Sequence, residues 1–141
     1  TTDRMWDIGI GGCVRVVEGH TYHVHSPAWA GAGRRGLSCS QDIRLWDIET
    51  GRCVRVLEGH TETIPSVMWS PDQQRGLSAA HDGTVRVWDV GRGECLQVLE
   101  GHSGGVITAV WSANSRHAFS CDEHGELRRW HLSGSAALGT D

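Results

Sequence analysis

Histidine, serine and aspartate recur in this chain in sets. His20, Ser38 and Asp42 form one set and His60, Ser78 and Asp82 a second; in a third, His102 and Ser120 are followed by His124 in the aspartate's place. A serine activated by a histidine that an aspartate orients is the machinery of acyl transfer. That chemistry needs the serine exposed at a pocket, with an oxyanion hole beside it. A set that returns with a fixed period is better explained as scaffold than as a reaction centre, and the G-x-S-x-G turn of the α/β hydrolases is missing. No residue is assigned a catalytic role, and a Ser/His/Asp hydrolase is kept only as the rival class.

The other reactive side chains follow the same rule. Cys13, Cys53 and Cys95 share one place in the period and Cys39 and Cys121 another, so they track repeat position and lack C-x-x-C metal spacing. Equivalent places in neighbouring repeats are usually too far apart for a disulfide. The cysteines are read as reduced, small apolar residues, which suits a cytoplasmic setting. His23 and His25 lie two apart on one face of a strand and with His20 would supply half a metal site. Loop or surface histidines are the commoner explanation, and no metal is expected. The glycine pairs of "GIGG" and "GRG" are turn residues without the strand-to-helix context of a phosphate loop, so no cofactor is expected either.

Composition removes two classes of partner. The 141 residues carry 17 acidic and 13 basic side chains, mixed along the whole length, for a net charge of -4. There is no basic stripe for a phosphate backbone. Apolar stretches are broken every few residues and none approaches the roughly 20 residues of a membrane helix. The start, "TTDRMWDIGIGG", lacks the basic-then-apolar order of a signal peptide. It also lacks an initiator Met, which fits a processed or cut-down piece of something longer.

What must position these side chains is a repeat. Trp6, Trp46, Trp88 and Trp130 are spaced 40, 42 and 42 apart; Trp29, Trp69 and Trp111 keep the intervals 40 and 42, as do the three histidines and three of the cysteines. The first full unit is two residues short because "SCSQDIRLWD" lacks the Gly-Thr of "SAAHDGTVRVWD". Within a unit the apolar residues alternate with period two, as in "CVRVLEGH" and "TVRVWD", and "SPDQQ", "HDGT" and "VGRGE" mark turns. The pattern predicts four short strands per unit, at about residues 53–57, 64–69, 74–79 and 84–89 in the middle one, and an all-β fold. The units run over 11–50, 51–92 and 93–133, after a remnant strand at 1–10 and before a flexible tail at 134–141. Pro27, mid-strand where other units have Val67 and Ala109, removes a ladder donor and is expected to bulge or loosen the first unit.

With "EGH" three times, "WD" at Trp6-Asp7, Trp46-Asp47 and Trp88-Asp89, and "DGTVRVWD" at 82–89, the chain from Gly11 to His131 resembles the WD40 repeat family. The resemblance implies a β-propeller of radial, four-stranded antiparallel blades. It also implies that each blade is pinned by a hydrogen-bonded tetrad: His20, Ser38, Asp42 and Trp46 in the first unit, and His60, Ser78, Asp82 and Trp88 in the second. In the third, His102, Ser120 and Trp130 remain, but the aspartate place is His124 and Trp-Asp becomes Trp130-His131, so this blade is expected to be the least rigid. Family members are mostly non-catalytic platforms that hold proteins or peptides on the channel rim. The matching places here are Tyr22, His23, Glu62 and Thr63 in loops, and Gln41, His81 and Glu123 before the turn.

From "CVRVV" onward the strands count as d, a-b-c-d, a-b-c-d, a-b-c, three blades' worth. Propellers usually close with about four to eight blades. The ring is therefore expected to close by head-to-tail association with copies of the same chain, strand d of one completing the last blade of the next. A dimer gives six blades and a trimer nine; the alternative is a fragment of a longer chain whose further repeats close the ring. In the tail, Ala137 and Leu138 fall where Cys95 and Leu96 sit one unit earlier, and a strand there would remove the need for closure.

Overall fold

The computed structural model describes strand backbones at residues 2–7, 12–18 and 28–30 and the chain over 35–47 and 49–132. Among the described residues there is no helix, and so none long and apolar enough to cross a membrane. The strands are β1 (Thr2–Asp7), β2 (Gly12–Glu18), β3 (Ala28–Ala30), β4 (Arg35–Cys39), β5 (Ile43–Asp47), β6 (Arg52–Leu57), β7 (Ser66–Trp69), β8 (Arg75–Ala79), β9 (Val85–Asp89), β10 (Glu94–Leu99), β11 (Val106–Trp111), β12 (His117–Asp122) and β13 (Leu127–His131).

All pairing is antiparallel between strands consecutive in sequence. Blade 1 is β3-β4-β5-β6, blade 2 is β7-β8-β9-β10, blade 3 is β11-β12-β13, and β1-β2 form a separate pair. The sheets have the form of propeller blades, and blades 1 and 2 each take their fourth strand from the start of the next sequence repeat. Tight turns fix this order. Asp47 caps the β5–β6 turn, its Oδ1 accepting the Glu49 N–H at 3.0 Å, while the Gly51 N–H donates to the Asp47 carbonyl at 2.8 Å. Asp89 does the same for Arg92 and Gly93 between β9 and β10. In blade 3 the equivalent residue is His131, and the residues after Leu132, the expected tail included, lie outside the described ones. So does Pro27.

β7 begins at Ser66, two residues after the expected start. Pro65 has no N–H for the ladder. The Ile64 N–H donates to the Ser40 carbonyl of blade 1 at 2.7 Å, and one repeat later the Val106 N–H, at the start of β11, bonds the Ala80 carbonyl at 2.9 Å. A backbone bond therefore ties the end of the second strand in blades 1 and 2 to the start of the next blade.

The core lies between the blades. Leu37, Cys39, Ile43, Leu45 and Leu57 of blade 1 pack on Ile64, Val67, Trp69, Trp88 and Val90 of blade 2. Leu77, Ala79, Val85, Val87 and Leu99 of blade 2 pack in the same way on Val106, Ala109, Trp111, Ala118 and Leu132 of blade 3. Each fully buried Leu or Val contributes roughly 1.5–3 kcal/mol, so stacking blade on blade is the main source of stability.

Arginines clasp the same joints. The Arg35 guanidinium lies 5.1 Å from the Trp69 ring centre, and that of Arg75, the next residue in the series, 4.9 Å from Trp111. Arg75 Nη2 also donates to the Ser115 carbonyl at 3.0 Å. The third place in the series is His117, whose ring lies against His131 and accepts a 3.2 Å bond from Arg129 Nη2.

Candidate functional site

In blade 2 the repeated polar residues form one continuous chain. Trp88 Nε1–H donates to Ser78 Oγ at 2.8 Å, the serine hydroxyl donates to His60 Nε2 at 2.6 Å, and His60 Nδ1–H donates to Asp82 Oδ2 at 2.8 Å. The proton positions follow from the partners, since the indole can only donate and the carboxylate can only accept. Asp82 is held in turn by the Thr61 N–H at 3.1 Å on Oδ2, and by the N–H and hydroxyl of Thr84 at 2.9 and 2.6 Å on Oδ1. The "EGH" glycine is required at its place: Gly59 and Gly101 have φ of 154° and 148°, which residues with side chains rarely adopt.

Burial sets the charge state of this chain. It pushes the His60 pKa below 6.5, against the raising effect of Asp82, so the imidazole is neutral near pH 7. Burial also pushes the Asp82 carboxyl up, but the hydrogen bonds from Thr84, His60 and the Thr61 backbone outweigh it and leave the pKa below 3.8.

Blade 3 holds the same chain with a different aspartate. Trp130 Nε1–H meets Ser120 Oγ at 2.7 Å and Ser120 Oγ meets His102 Nε2 at 2.6 Å, but the carboxylate 3.0 Å from His102 Nδ1 belongs to Asp122. His124, in the aspartate's sequence place, is not in the chain; its backbone N–H donates to Asp122 Oδ1 at 2.9 Å, as does that of Glu126. The expectation of a tetrad lacking its carboxylate is thus corrected. Asp122 stands where blade 2 has Ala80, at the end of the second strand, and its side chain covers the distance that Asp82 covers from the turn.

Glu126 Oε1 adds a second carboxylate 3.3 Å from His102 Nδ1. His102, Asp122 and Glu126 thus place three potential metal-ligand atoms within 4.8 Å of one another. All three side chains are already committed, Glu126 to Arg128 Nε at 3.0 Å. As in blade 2, burial raises the Asp122 carboxyl, and the backbone N–H of Glu126, His102 and the backbone N–H of His124 together hold its pKa below 3.8.

In blade 1, Trp46 Nε1–H donates to Ser38 Oγ at 2.7 Å and Asp42 pairs with Arg44 at 3.2 Å. His20, Tyr22 and His23 lie outside the described residues. Blades 2 and 3 therefore each contain a complete Ser-His-Asp geometry, but the serine is enclosed. Ser78 is 0% exposed and its oxygen already accepts the indole N–H. No substrate carbonyl can reach it without dismantling the blade.

The expected partner-binding positions among the described residues lie in loops and turns of the blades. Gln41, Glu62, His81 and Glu123 are exposed and Thr63 is half-exposed. The His81 N–H donates to the Thr63 carbonyl at 2.9 Å and the Glu123 N–H to the Gly105 carbonyl at 2.9 Å. Thr63, His81 and Glu123 thus stand on backbone that is hydrogen-bonded to a neighbouring loop.

Cys39, Cys53, Cys95 and Cys121 are free thiols. Cys39 is buried, and Cys53 and Cys95 are exposed. Each stands opposite a tryptophan, Trp46 or Trp88, where the ladder bulges. Their Sγ atoms lie 3.5 and 3.4 Å from the carbonyls of Arg55 and Gln97.

Sequence reasoning missed Asp122 and the arginine clasps. Arg35, Arg75 and His117 do keep the 40 and 42 intervals, so the clasps were visible as a further column of the repeat.

No curated protein matches the chain in sequence. The WD domain, G-beta repeat family matches at residues 51–89 and 93–131, together more than half of the chain. Both matches run from the strand that opens a sequence repeat to the strand bearing the tetrad tryptophan, and the chain belongs to the WD40 repeat family.

Proposed function

We propose that the protein is a non-catalytic protein–protein interaction scaffold of the WD40 type whose propeller is completed by self-association, giving six blades as a dimer or nine as a trimer. The observation that carries this reading is the outward face of blade 3. Phe119 is 45% and Leu127 77% exposed, whereas the matching residues of blade 2, Leu77 and Val85, are 0% exposed beneath blade 3. Blade 3 also lacks a fourth strand among the described residues, so the main-chain edge of β13 is a template for one. A head-to-tail neighbour supplies both a blade and a strand.

On such a ring, Gln41, Glu62, Thr63, His81 and Glu123, with Tyr22 and His23 of the first repeat, form the binding rim for a protein or peptide partner. The exposure of Gln41, Glu62, His81 and Glu123 and the variation of these places between blades support this, and the free thiols suit a cytoplasmic setting. A second reading, blades supplied by a longer chain, is favoured by β1-β2, whose register is that of the third and fourth strands of a further blade.

The test is the mass of the purified 141-residue chain in solution. A dimer or trimer supports self-association, and a monomer at all concentrations, with residues 1–8 removed as well as present, overturns it in favour of the longer chain. Changing His81 and Tyr22 to alanine should abolish capture of any partner that the unaltered chain binds; undiminished capture would sink the rim assignment.

A further inference from the structure

We infer that β1 is a built-in competitor of ring closure, occupying on β2 the one edge through which β2 can join β13 of a second copy. This rests on the self-association reading.

In blade 1 the third and fourth strands pair Trp46 with Cys53 and Leu45 with Arg55; in blade 2 the pairs are Trp88 with Cys95 and Val87 with Gln97. The β1-β2 pair repeats this: Trp6 stands opposite Cys13 and Met5 opposite Arg15, with the shift of register at the same step. β1 therefore lies on β2 as a third strand lies on a fourth. β13 is also a third strand, with Trp130 opposite Ala118 as Trp88 is opposite Gly76. An edge carries one ladder of hydrogen bonds at a time. β13 of one copy and β1 of the other cannot both pair with it, and closure requires β1 to leave.

The exchange changes the facing residues. β1 sets Asp3 opposite Val17 and Met5 opposite Arg15. In the same register β13 sets Leu127 opposite Val17, an apolar pair where there was none, but also sets Arg129 opposite Arg15. Like charges directly opposite one another weaken a sheet. The exchange thus trades one favourable pair for one unfavourable pair, and the ladder itself is replaced one for one. β1 holds β2 against an exchange that gains little, and this keeps the copies apart until β1 is displaced.

Sedimentation equilibrium of the whole chain and its variants tests this. Removing residues 1–8 is expected to tighten self-association about tenfold or more, the factor by which an open population of one in ten or fewer reduces apparent affinity. A synthetic peptide of residues 1–8 should reverse the gain. Met5→Arg in the full chain, which puts a like charge on the β1-β2 pair and leaves β13 untouched, should also tighten association. Arg129→Glu in the shortened chain should tighten it further, by about two- to fivefold.

Association that is present in the full chain, lost on removing residues 1–18, but no tighter without residues 1–8 or with Met5→Arg would overturn the inference and leave the self-association reading standing. Absence of association in every variant would overturn that reading, and the inference with it.

Discussion

Blades 2 and 3 build the same polar chain from different sequence places. In blade 2 the carboxylate comes from the tip of the turn, Asp82; in blade 3 it comes from Asp122, two residues earlier in repeat register. Both place an oxygen within 3.0 Å of the histidine Nδ1 and gather backbone N–H groups on the other oxygen. The side chains of His102 and Asp122 are as enclosed as those of His60 and Asp82. What is retained is the position of a charge, not the position of a residue. The blades differ more in their outward faces. Leu77, Val85 and Val87 of blade 2 are covered, while Phe119, Leu127 and Arg129, their counterparts in blade 3, are not.

The largest effects should break this second contrast. Leu77→Ala removes a side chain enclosed by two blades and is expected to cost about 2–5 kcal/mol in urea unfolding. Phe119→Ala, at the matching place, should change the stability of the monomer by about 0.5 kcal/mol or less. Two costs of equal size in the monomer would mean that the outward face of blade 3 is already covered.

Next come the tetrads. Ser78→Ala leaves the Trp88 indole N–H and His60 Nε2 buried without their partner, at about 1–3 kcal/mol for each orphaned group, and Ser120→Ala should cost a similar amount through Trp130 and His102. Asp122→Ala is expected to destabilise blade 3, while His124→Ala, at the place that sequence alignment matches to Asp82, leaves it unchanged. A damaging His124→Ala with a silent Asp122→Ala would refute the shift of the aspartate.

How far the sequence could be read follows from what each feature depends on. The strands were legible because "CVRVL" and "TVRVW" alternate with the period of a pleated chain, and the blade offset followed once the family had been recognised. The late start of β7 was legible in Pro65, which has no N–H to give a ladder; Val106, whose N–H bonds the neighbouring blade as that of Ile64 does, still opens β11. Asp122 was hidden because a repeat is compared column by column, while a carboxylate only has to arrive at a point in space. The exposure of Cys53 and Cys95 follows from their place on β6 and β10, the outer strands of blades 1 and 2, which are exposed or half-exposed along most of their length. Arg35 and Arg75 had the spacing of the repeat, but only a neighbouring blade shows what they clasp.

The smallest effect expected is one of pH. His60 is kept neutral by burial, with a folded pKa below 6.5, so on acidification the unfolded chain takes up a proton that the folded chain resists. The stability of blade 2 should be full above about pH 6.5 and decline as pH falls below it. The carboxyls of Asp82 and Asp122 also have lowered folded pKa values, and their contribution is present above 3.8 and lost as pH falls further. The two steps have the same sign but separate windows, so urea unfolding at pH 7.5, 6 and 5 isolates the histidine step from that of the carboxyls. His60→Asn should flatten the profile over this range at the cost of lower overall stability. A wild-type chain that gains stability between pH 7.5 and 5 would mean that His60 is charged in the folded blade. The Asp82–His60 contact would then be an ion pair, and burial would not be what sets the protonation of the tetrad.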